Sequence, residues 1–381
     1  MTNFKSQMHS RSPGISATII LFLIAASLAS CTASPETIKL GAISSLSGPV
    51  AGPGNWVKNG ILLAEEDINA RGGIDGKRVD IIFEDDKCDP KEAVSSFEKL
   101  SQTDGVKAIV GPFCSGSVLS AASKANQENV VLLSPGGAAP EITAAGDFVF
   151  RVVPSDVLQA RELASRLEAR NITSIALLVS NVAQSTGMRD AMAKAFHGTI
   201  VDVEMFEDGA ADMRTQLEKI KKAGPQALVI FTYPQNYPTI TKQIVELDLL
   251  KDLQAPLFAT HTFETPASLK MGKDAEAYVY TIHSMDRSRP KAKEFMDRYE
   301  KRFGEKPMIW AAYAYDATVL LAEASSACKG SKDGACIKDH LYSTNDADGV
   351  TGLIRFDSNG DRPSGFYDFK QVRDGKFVMV S

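Results

Sequence analysis

The chain has 381 residues, of which 44% are hydrophobic and 23% are charged, and its formal net charge is −5. This length exceeds what one hydrophobic core usually serves, so we expect a globular protein with two domains in its mature part. The few Lys/Arg clusters are matched by acidic residues, and no basic face carries interleaved aromatic residues. Nucleic acid is therefore not an expected partner.

The N-terminal 31 residues have the pattern of an export signal. Lys5 and Arg11 precede an apolar stretch over residues 15–28, which is too short and too rich in alanine to predict a membrane span. The stretch ends in LASC, and this segment resembles the lipobox of bacterial lipoproteins, in which the cysteine becomes the lipidated first residue. A plain signal peptide with a chance cysteine is the alternative. We predict a signal peptide over residues 1–31 and an exported lipoprotein, periplasmic or on the cell surface, whose contact with the membrane is the lipid at Cys31.

Strand-like and helix-like segments alternate from Ile38 onward. The strand pattern IKLGAIS is followed by the helical segment ILLAEEDINARGG, the strand pattern VDIIFED and another helix, for which Asp89 and Pro90 predict the N-cap and first turn. The alternation continues through AIVG, a helix over residues 117–128 and VVLLS. Strands alternating with helices of this length predict right-handed crossovers and a parallel sheet.

A second α/β series begins after residue 153, with the strand patterns SIALLVS, TIVDVEMF, ALVIF and PLFAT separated by helices. Two more helices follow, and in the first of them Phe295, Met296, Tyr299 and Phe303 have the spacing of a core-facing stripe. The tail GLIRFDSNGDRPSGFYDFKQVRDGKFVMV predicts short strands with Asn-Gly and Asp-Gly turns. We therefore expect two α/β domains, followed by elements that return to them.

Five cysteines are an odd number for an oxidising compartment, and lipidation of Cys31 would leave four. Cys88 and Cys114 each follow a predicted strand, and Cys328 and Cys336 flank the short loop in CKGSKDGAC. We predict the disulfides Cys88–Cys114 and Cys328–Cys336, with free buried thiols as the alternative. The sequence has no CxxC or HxxxH motif and only five histidines, so we expect neither a metal nor a cofactor.

The segment GPFCSGS, residues 111–117, permits three interpretations. A nucleophile elbow needs glycine two positions before the nucleophile, where Pro112 precedes Cys114, and a disulfide-bonded cysteine is no nucleophile. A phosphate loop needs a lysine that this segment lacks. The third interpretation is a ligand site, because the serine would lie at a helix N-terminus directly after a strand. The hydroxyl, the backbone N–H groups and the helix dipole at such a position favour a small anion such as a carboxylate. Ser115 would otherwise only cap its own helix, and the local sequence does not decide between these last two roles.

Four segments resemble the extracytoplasmic solute-binding proteins of branched-chain amino acid ABC transporters, the Leu/Ile/Val-binding family: EDINARGGIDGKRVDIIFEDDKCDPKEAV, GPFCSGS, LLSPGGAAPEIT and GLIRFDSNGD. The resemblance runs through nearly all of the mature chain. It implies the type I periplasmic binding protein fold, with two doubly wound α/β lobes joined by three crossovers and a ligand in the cleft between them. It places lobe 1 at residues 36–152 and 286–348, and lobe 2 at 153–285 and 349–381. The pairing of Cys88 with Cys114 is also implied, which makes GPFCSGS a disulfide-bonded ligand elbow.

The resemblance also implies a set of binding residues. The ligand carboxylate and ammonium would be held by Ser115, by the loop Gly136, Gly137 and Ala138, by the aromatic residue Tyr233, and by an acid after the PLFAT strand.

The chain departs from that pattern at three positions. Ala138 stands where amino acid binders usually carry threonine, and Pro53 stands where an aromatic residue often covers the ligand. Thr262 takes the place of the acid, with Glu264 two residues further on. A hydrogen bond to a charged group contributes about 1.5–3 kcal/mol, so losing the acid would weaken the binding of an α-ammonium tenfold or more. The residues that the family uses to hold a ligand carboxylate are therefore largely present, whereas the acid that holds an α-ammonium is replaced.

We predict a substrate-binding lipoprotein, monomeric and not an enzyme, that delivers a small ligand to an ABC permease and its ATPase. Trp56 and Tyr233 would supply aromatic walls, so other small carboxylates, ω-amino acids or amides are favoured over ordinary branched-chain amino acids. A sensory protein of the same fold is one alternative. A hydrolase is the other alternative. It would need paired carboxylates, but those at residues 84–86 have the pattern of a solvated strand end.

Overall fold

The structure is a computed structural model that describes residues 1–3, 37–328 and 332–380. Cys31, the predicted lipidation site, lies outside these residues with nearly all of the predicted export signal. Within the described part of the chain, no helix is both long enough and apolar enough to cross a membrane. All helices and strands of the described residues belong to one compact unit, Thr37–Ser381.

Fourteen β-strands lie in the described residues: β1 (Thr37–Ser44), β2 (Arg78–Asp85), β3 (Ala108–Val110), β4 (Val131–Ser134), β5 (Val149–Arg151), β6 (Ser174–Ser180), β7 (Thr199–Phe206), β8 (Ala227–Phe231), β9 (Leu257–Ala259), β10 (Tyr278–Ser284), β11 (Ala347–Gly349), β12 (Gly352–Ile354), β13 (Phe366–Arg373) and β14 (Lys376–Met379). The first sheet is parallel throughout and has the order β2-β1-β3-β4-β5. The second has the order β14-β13-β10-β9-β8-β6-β7, parallel from β7 to β10 and antiparallel at β13 and β14. Strands β11 and β12 form a separate antiparallel pair.

The α-helices of the described residues are α1 (Ala51–Ala70), α2 (Pro90–Glu98), α3 (Ser115–Glu128), α4 (Asp156–Ala169), α5 (Ala183–Ala195), α6 (Arg214–Ala223), α7 (Tyr237–Glu246), α8 (Pro266–Leu269), α9 (Pro290–Phe303), α10 (Ile309–Ala327) and α11 (Gly334–Tyr342). The predicted start of α2 is confirmed, because the Asp89 side chain accepts hydrogen bonds from the amides of Lys91 and Glu92, and Pro90 occupies the first turn.

Each sheet has a hydrophobic core on both of its faces, which is the doubly wound arrangement. Strand β3 illustrates this, because Ala108 and Val110 join the core that includes α1, α9 and α10, whereas Ile109 joins the core that includes α2 and α3. The predicted stripe on α9 faces the core, since Phe295 and Tyr299 are buried and Met296 and Phe303 pack against the same core while partly exposed. The expected α/β class and parallel sheets are thus confirmed.

The chain passes three times between the two sheets, after β5, after β10 and between β12 and β13. Residues up to Asp361 stay with the first sheet, since Phe356 packs in its core and the Arg151 N–H donates to the Gly360 oxygen over 3.0 Å. The predicted lobe bounds give residues 349–361 to lobe 2, whereas Phe356 and Gly360 in this segment contact the first sheet. The division into two lobes itself stays a prediction.

Of the two turns predicted in the tail, the Asp-Gly turn at residues 374–375 joins the antiparallel strands β13 and β14. The Asn-Gly turn at 359–360 forms as well, but the residue after it pairs with β5 instead of a neighbouring strand of the tail.

Candidate functional site

A cavity lies where the carboxyl ends of the parallel strands of both sheets meet, which is the usual ligand position in open α/β sheets. It encloses about 520 Å³ of empty space, part of which is open to solvent. The residues that line it are Val50, Pro53, Trp56, Phe113, Cys114, Ser115 and Gly136 from the first-sheet side, Gln184, Tyr233, Pro234, His261, Thr262, Glu264 and Thr265 from the second-sheet side, and Trp310 from α10.

The elbow between β3 and α3 forms one wall of this cavity. Gly111 has a φ of +114°, and a Cβ there would lie 2.1 Å from the Ile43 oxygen, so only glycine fits. Cys114 is bonded to Cys88, which ties the elbow to the loop after β2. The predicted Cys88–Cys114 disulfide is confirmed, as is the pairing of Cys328 with Cys336.

Ser115 is the first residue of α3 and is buried against the cavity. The N-cap position belongs to Cys114, and no side chain caps the helix. The Ser115 Oγ instead accepts a hydrogen bond from the Ala139 N–H over 3.2 Å. Capping is therefore not the role of this hydroxyl, whose hydrogen can still be donated into the cavity. The first-turn N–H groups of α3 add donors that have no intrahelical acceptor.

The predicted loop Gly136, Gly137 and Ala138 contributes less surface than expected, because only Gly136 lines the cavity. The N–H groups of both glycines donate to the Ser134 Oγ, over 3.3 and 2.8 Å. A Cβ at Gly136 would lie 2.2 Å from the Phe113 ring, so the loop packs directly against the elbow. Ala138 is buried behind the cavity wall, and its carbonyl accepts from the Asp156 N–H. The loop thus supports the elbow and closes one end of the cavity.

Aromatic side chains form much of the remaining wall. Trp56 and Tyr233 line the cavity as predicted, and the Tyr233 hydroxyl lies 3.9 Å from the Cys88 Sγ. Burial raises the pKa of Tyr233, so its hydroxyl is a neutral donor at ordinary pH. Phe113 and Trp310 also line the cavity, with ring centroids 5.6 Å apart, and neither was predicted. Phe113 lies within the elbow motif itself, whereas no local signal distinguishes Trp310 from the core residues of α10.

The part of the cavity formed by Thr262 and Glu264 does not offer the available carboxylate that an α-ammonium requires. Thr262 lines the cavity, and its hydroxyl lies 3.0 Å from the Tyr237 hydroxyl. Glu264 also lines the cavity, but both its oxygens accept from the Lys370 Nζ, over 2.8 and 2.9 Å, and the Tyr280 hydroxyl donates to it over 2.7 Å. Both partners of this ion pair are buried. The one carboxylate among the lining residues is therefore already neutralised by a lysine.

Three polar lining residues were not predicted: Gln184, His261 and Thr265. His261 is the second residue after β9, so its position after a parallel strand was a usable signal. Burial lowers its pKa to about 3, so the imidazole is neutral and adds no positive charge to the cavity. Gln184 is buried near the start of α5, which also follows a parallel strand.

A second and wider cavity, with about 1320 Å³ of empty space that is partly open to solvent, lies among α1, α9, α10 and the β11–β12 pair. Its buried Asp67 accepts hydrogen bonds from Arg298 and Tyr315. Asp316 in the same cavity accepts from the N–H groups of Val350 and Thr351. These carboxylates are satisfied within the fold, so the cavity at the strand ends is the better candidate for the binding site.

This cavity thus offers hydroxyl and amide donors at its elbow end and a largely apolar, aromatic wall elsewhere. Its cysteine is held in a disulfide, and its serine hydroxyl accepts a hydrogen bond from the Ala139 N–H. Such a surface is suited to holding a small ligand with an acidic end.

Comparisons with known proteins agree with this description. A family model described as periplasmic binding protein matches residues 37–376. The leucine-, isoleucine-, valine-, threonine- and alanine-binding protein of Pseudomonas aeruginosa is 28% identical over 344 residues, covering 88% of this chain and 90% of the relative. The Leu/Ile/Val-binding protein of Escherichia coli (strain K12) is 28% identical over 337 residues, covering 86% and 88%.

A solved structure of the branched-chain amino acid transporter substrate binding protein LivJ from Streptococcus pneumoniae, in complex with isoleucine, has a TM-score of 0.80 and 28% identity. The similarity covers 90% of this chain and 98% of that one. The fold, the position of the cavity and the family match together lead to one conclusion: the chain belongs to the periplasmic binding protein family, as a type I member of the kind found with branched-chain amino acid transporters.

Proposed function

We propose that this protein is the substrate-binding component of an ABC importer, and that it captures a small carboxylate-bearing ligand in the cavity at the strand ends. The bound ligand would be passed to a permease driven by an ATPase, and Cys31 would carry the lipid that holds the protein at the membrane. The observation that carries the proposal is Ser115, a buried serine at the N-terminus of α3 that faces the cavity. The names of the relatives, which are amino acid-binding proteins, support the transport role.

The carboxylate is assigned to the elbow end. A ligand oxygen there would accept from the Ser115 hydroxyl and from the first-turn N–H groups of α3, and the helix dipole would add to the attraction. Hydrogen bonds of this kind to a charged group contribute about 1.5–3 kcal/mol each. The Cys88–Cys114 disulfide and the contact between Gly136 and Phe113 hold the donors in place before the ligand arrives.

The other end of the ligand is assigned an apolar body. Glu264 is bound to Lys370 and Tyr280, so an α-ammonium would have to compete with a buried ion pair for the same carboxylate. Trp56, Phe113 and Trp310 instead offer flat apolar surface. We therefore favour a small carboxylate without an α-ammonium over leucine, isoleucine or valine. Amino acids remain the second candidate, because the relatives bind them by name.

Ligand capture would couple to closure of the fold. The cavity is lined by residues that follow strands of both sheets, so a ligand contacts both sides only when these are close together. Its binding energy would then stabilise the closed arrangement, which the permease could distinguish from the empty one.

Calorimetry with three matched compounds tests the ligand class. 4-Methylpentanoate carries the leucine side chain and carboxylate without the ammonium, leucine carries both charges, and 4-methylpentanamide has no charge. We expect 4-methylpentanoate to bind at least tenfold more tightly than the other two. Binding of leucine at least tenfold more tightly than 4-methylpentanoate would overturn the assignment of the ammonium end, and tighter binding of the amide would overturn that of the carboxylate end.

A further inference from the structure

Three titratable side chains that are far apart in the sequence meet beside the cavity. Asp156 lies at the start of α4, His261 follows β9, and His283 lies in β10. One metal-ligating atom from each residue lies within 4.8 Å of those of the other two. Their exposed fractions are 0%, 8% and 2%, so the group, here called the buried trio, is removed from bulk water. His261 also lines the cavity, so the two features share a boundary.

The trio contains polar atoms that the fold leaves unsatisfied. Among the described residues, both ring nitrogens of His283 have no hydrogen-bond partner, and the buried Asp156 carboxylate has only the nearby Gln184 side chain as a donor. An unsatisfied buried polar group destabilises the folded state, and a charged one destabilises it more. The two unpaired ring nitrogens of His283, beside a buried carboxylate with a single donor, therefore indicate a bound group that satisfies them.

The third residue already has the supporting contact that a metal-binding histidine usually makes. The His261 Nδ1 lies 2.8 Å from the Gln159 Oε1, and the Gln159 Nε2 donates to the Thr281 oxygen over 3.0 Å. The second contact fixes the orientation of the amide, so the Gln159 Oε1 must accept from a protonated Nδ1. This leaves the lone pair of His261 on Nε2, and the outer hydrogen bond holds the ring in one orientation.

We propose that Asp156, His261 and His283 bind a divalent transition metal ion of the zinc class. Two imidazoles and one carboxylate are donors that Zn²⁺, Co²⁺, Ni²⁺ and Cu²⁺ prefer over Mg²⁺ and Ca²⁺. Because the three ligating atoms lie within 4.8 Å of one another, a metal ion placed between them would be no more than about 2.8 Å from each. Metal–ligand distances are about 2.0–2.2 Å, so only small side-chain shifts are needed to reach them. Three protein ligands leave a coordination position for water or a small molecule. The trio borders the proposed ligand site through His261, but metal binding can be measured without that ligand.

The test measures metal binding by the full mature protein. Bound metal is first removed with a chelator, and no organic ligand is added. Calorimetry with Zn²⁺ is expected to give one tight site per chain, and Mg²⁺ is expected to bind at least 100-fold more weakly. Trp310 gives a second readout, because its ring centroid lies 5.1 and 5.5 Å from those of His261 and His283. A bound Cu²⁺ ion should therefore quench its fluorescence. The chain has two tryptophans, so the quenching is measured with Trp56→Phe as the background.

His283→Gln is expected to lower the Zn²⁺ affinity at least tenfold and to remove the quenching. The matched control is the double variant His197→Gln, His340→Gln, which removes the two exposed histidines of the described residues and should bind as tightly as the parent. Thermal unfolding checks that each variant is folded. If His283→Gln does not fold, His261→Gln and Asp156→Asn carry the same expectation. The proposal is overturned if the parent does not bind Zn²⁺, if folded trio variants bind it as well as the parent, or if the control loses binding to the same extent. Since no carboxylate ligand is present, a negative result leaves the proposed transport function untouched.

Discussion

Replacing Ser115 by alanine tests the central assignment of the binding site. The hydroxyl of this residue has two roles in the proposed complex, which the structure allows us to separate. Its oxygen accepts from the Ala139 N–H over 3.2 Å in a buried position, and its hydrogen would be donated to the ligand carboxylate. The substitution removes both interactions, so it should change the free energy of unfolding as well as the dissociation constant.

The two effects have different sizes. Loss of the acceptor leaves the buried Ala139 N–H unpaired, and we expect the free energy of unfolding to fall by about 1–3 kcal/mol. Loss of a charge-assisted hydrogen bond costs about 1.5–3 kcal/mol of binding, which raises the Kd of 4-methylpentanoate roughly 10- to 150-fold. The neutral 4-methylpentanamide loses only an ordinary hydrogen bond of about 0.5–1.5 kcal/mol, so its Kd should rise roughly 2- to 13-fold.

Urea unfolding and calorimetry on the same preparations measure the two quantities. The matched control is Ser117→Ala, two residues further along α3. Ser117 is also fully buried, but its Oγ has no hydrogen-bond partner among the described residues and does not line the cavity. This variant should keep both the stability and the Kd of the parent. The reasoning would be refuted if Ser115→Ala lost stability while the Kd of 4-methylpentanoate stayed the same, because the serine would then only join the elbow to the loop. An equal rise in Kd for the acid and the amide would refute the charge-assisted contact.

Three further outcomes are expected. Glu264→Gln leaves Lys370 buried without a counter-charge and should lower the free energy of unfolding by about 3–5 kcal/mol in a urea titration. The double variant Glu264→Leu, Lys370→Met removes both charges and should lower it less, so equal losses would contradict the importance of the ion pair. Replacing Cys88 and Cys114 by serine opens a loop with a sequence separation of 26, which should lower the free energy of unfolding by about 3.5 kcal/mol if chain entropy dominates. Carboxylate binding should also weaken because the elbow loosens, and an unchanged Kd would show that the disulfide does not support the site. Cys31→Ser should prevent incorporation of labelled fatty acid and release the protein from the membrane fraction, and unaltered labelling would rule out this residue as the lipid attachment site.

The sequence alone predicted the class of fold and the elbow. Alternating apolar segments with turn and cap residues are local features. A parallel sheet follows from their order because a helix between two strands returns the chain, so that both strands run in the same direction. Ser115 could be identified for the same reason, since a strand followed by a helix places the connecting residues at the carboxyl edge of the sheet. The cysteine pairs were predictable because a disulfide joins residues that local patterns had already placed at strand and loop ends.

Only the tertiary structure decided how the groups around the cavity are paired. Glu264 and Lys370 are 106 positions apart, and nothing near either residue in the sequence shows that the carboxylate is already occupied. His261, His283 and Asp156 come from three separate elements, and Trp310 comes from a helix whose pattern predicts only core. Strand and helix propensities depend on near neighbours, whereas these contacts depend on how distant elements pack against one another. Local sequence therefore predicted which residues lie at the sheet edges, and long-range packing determined which of them meet.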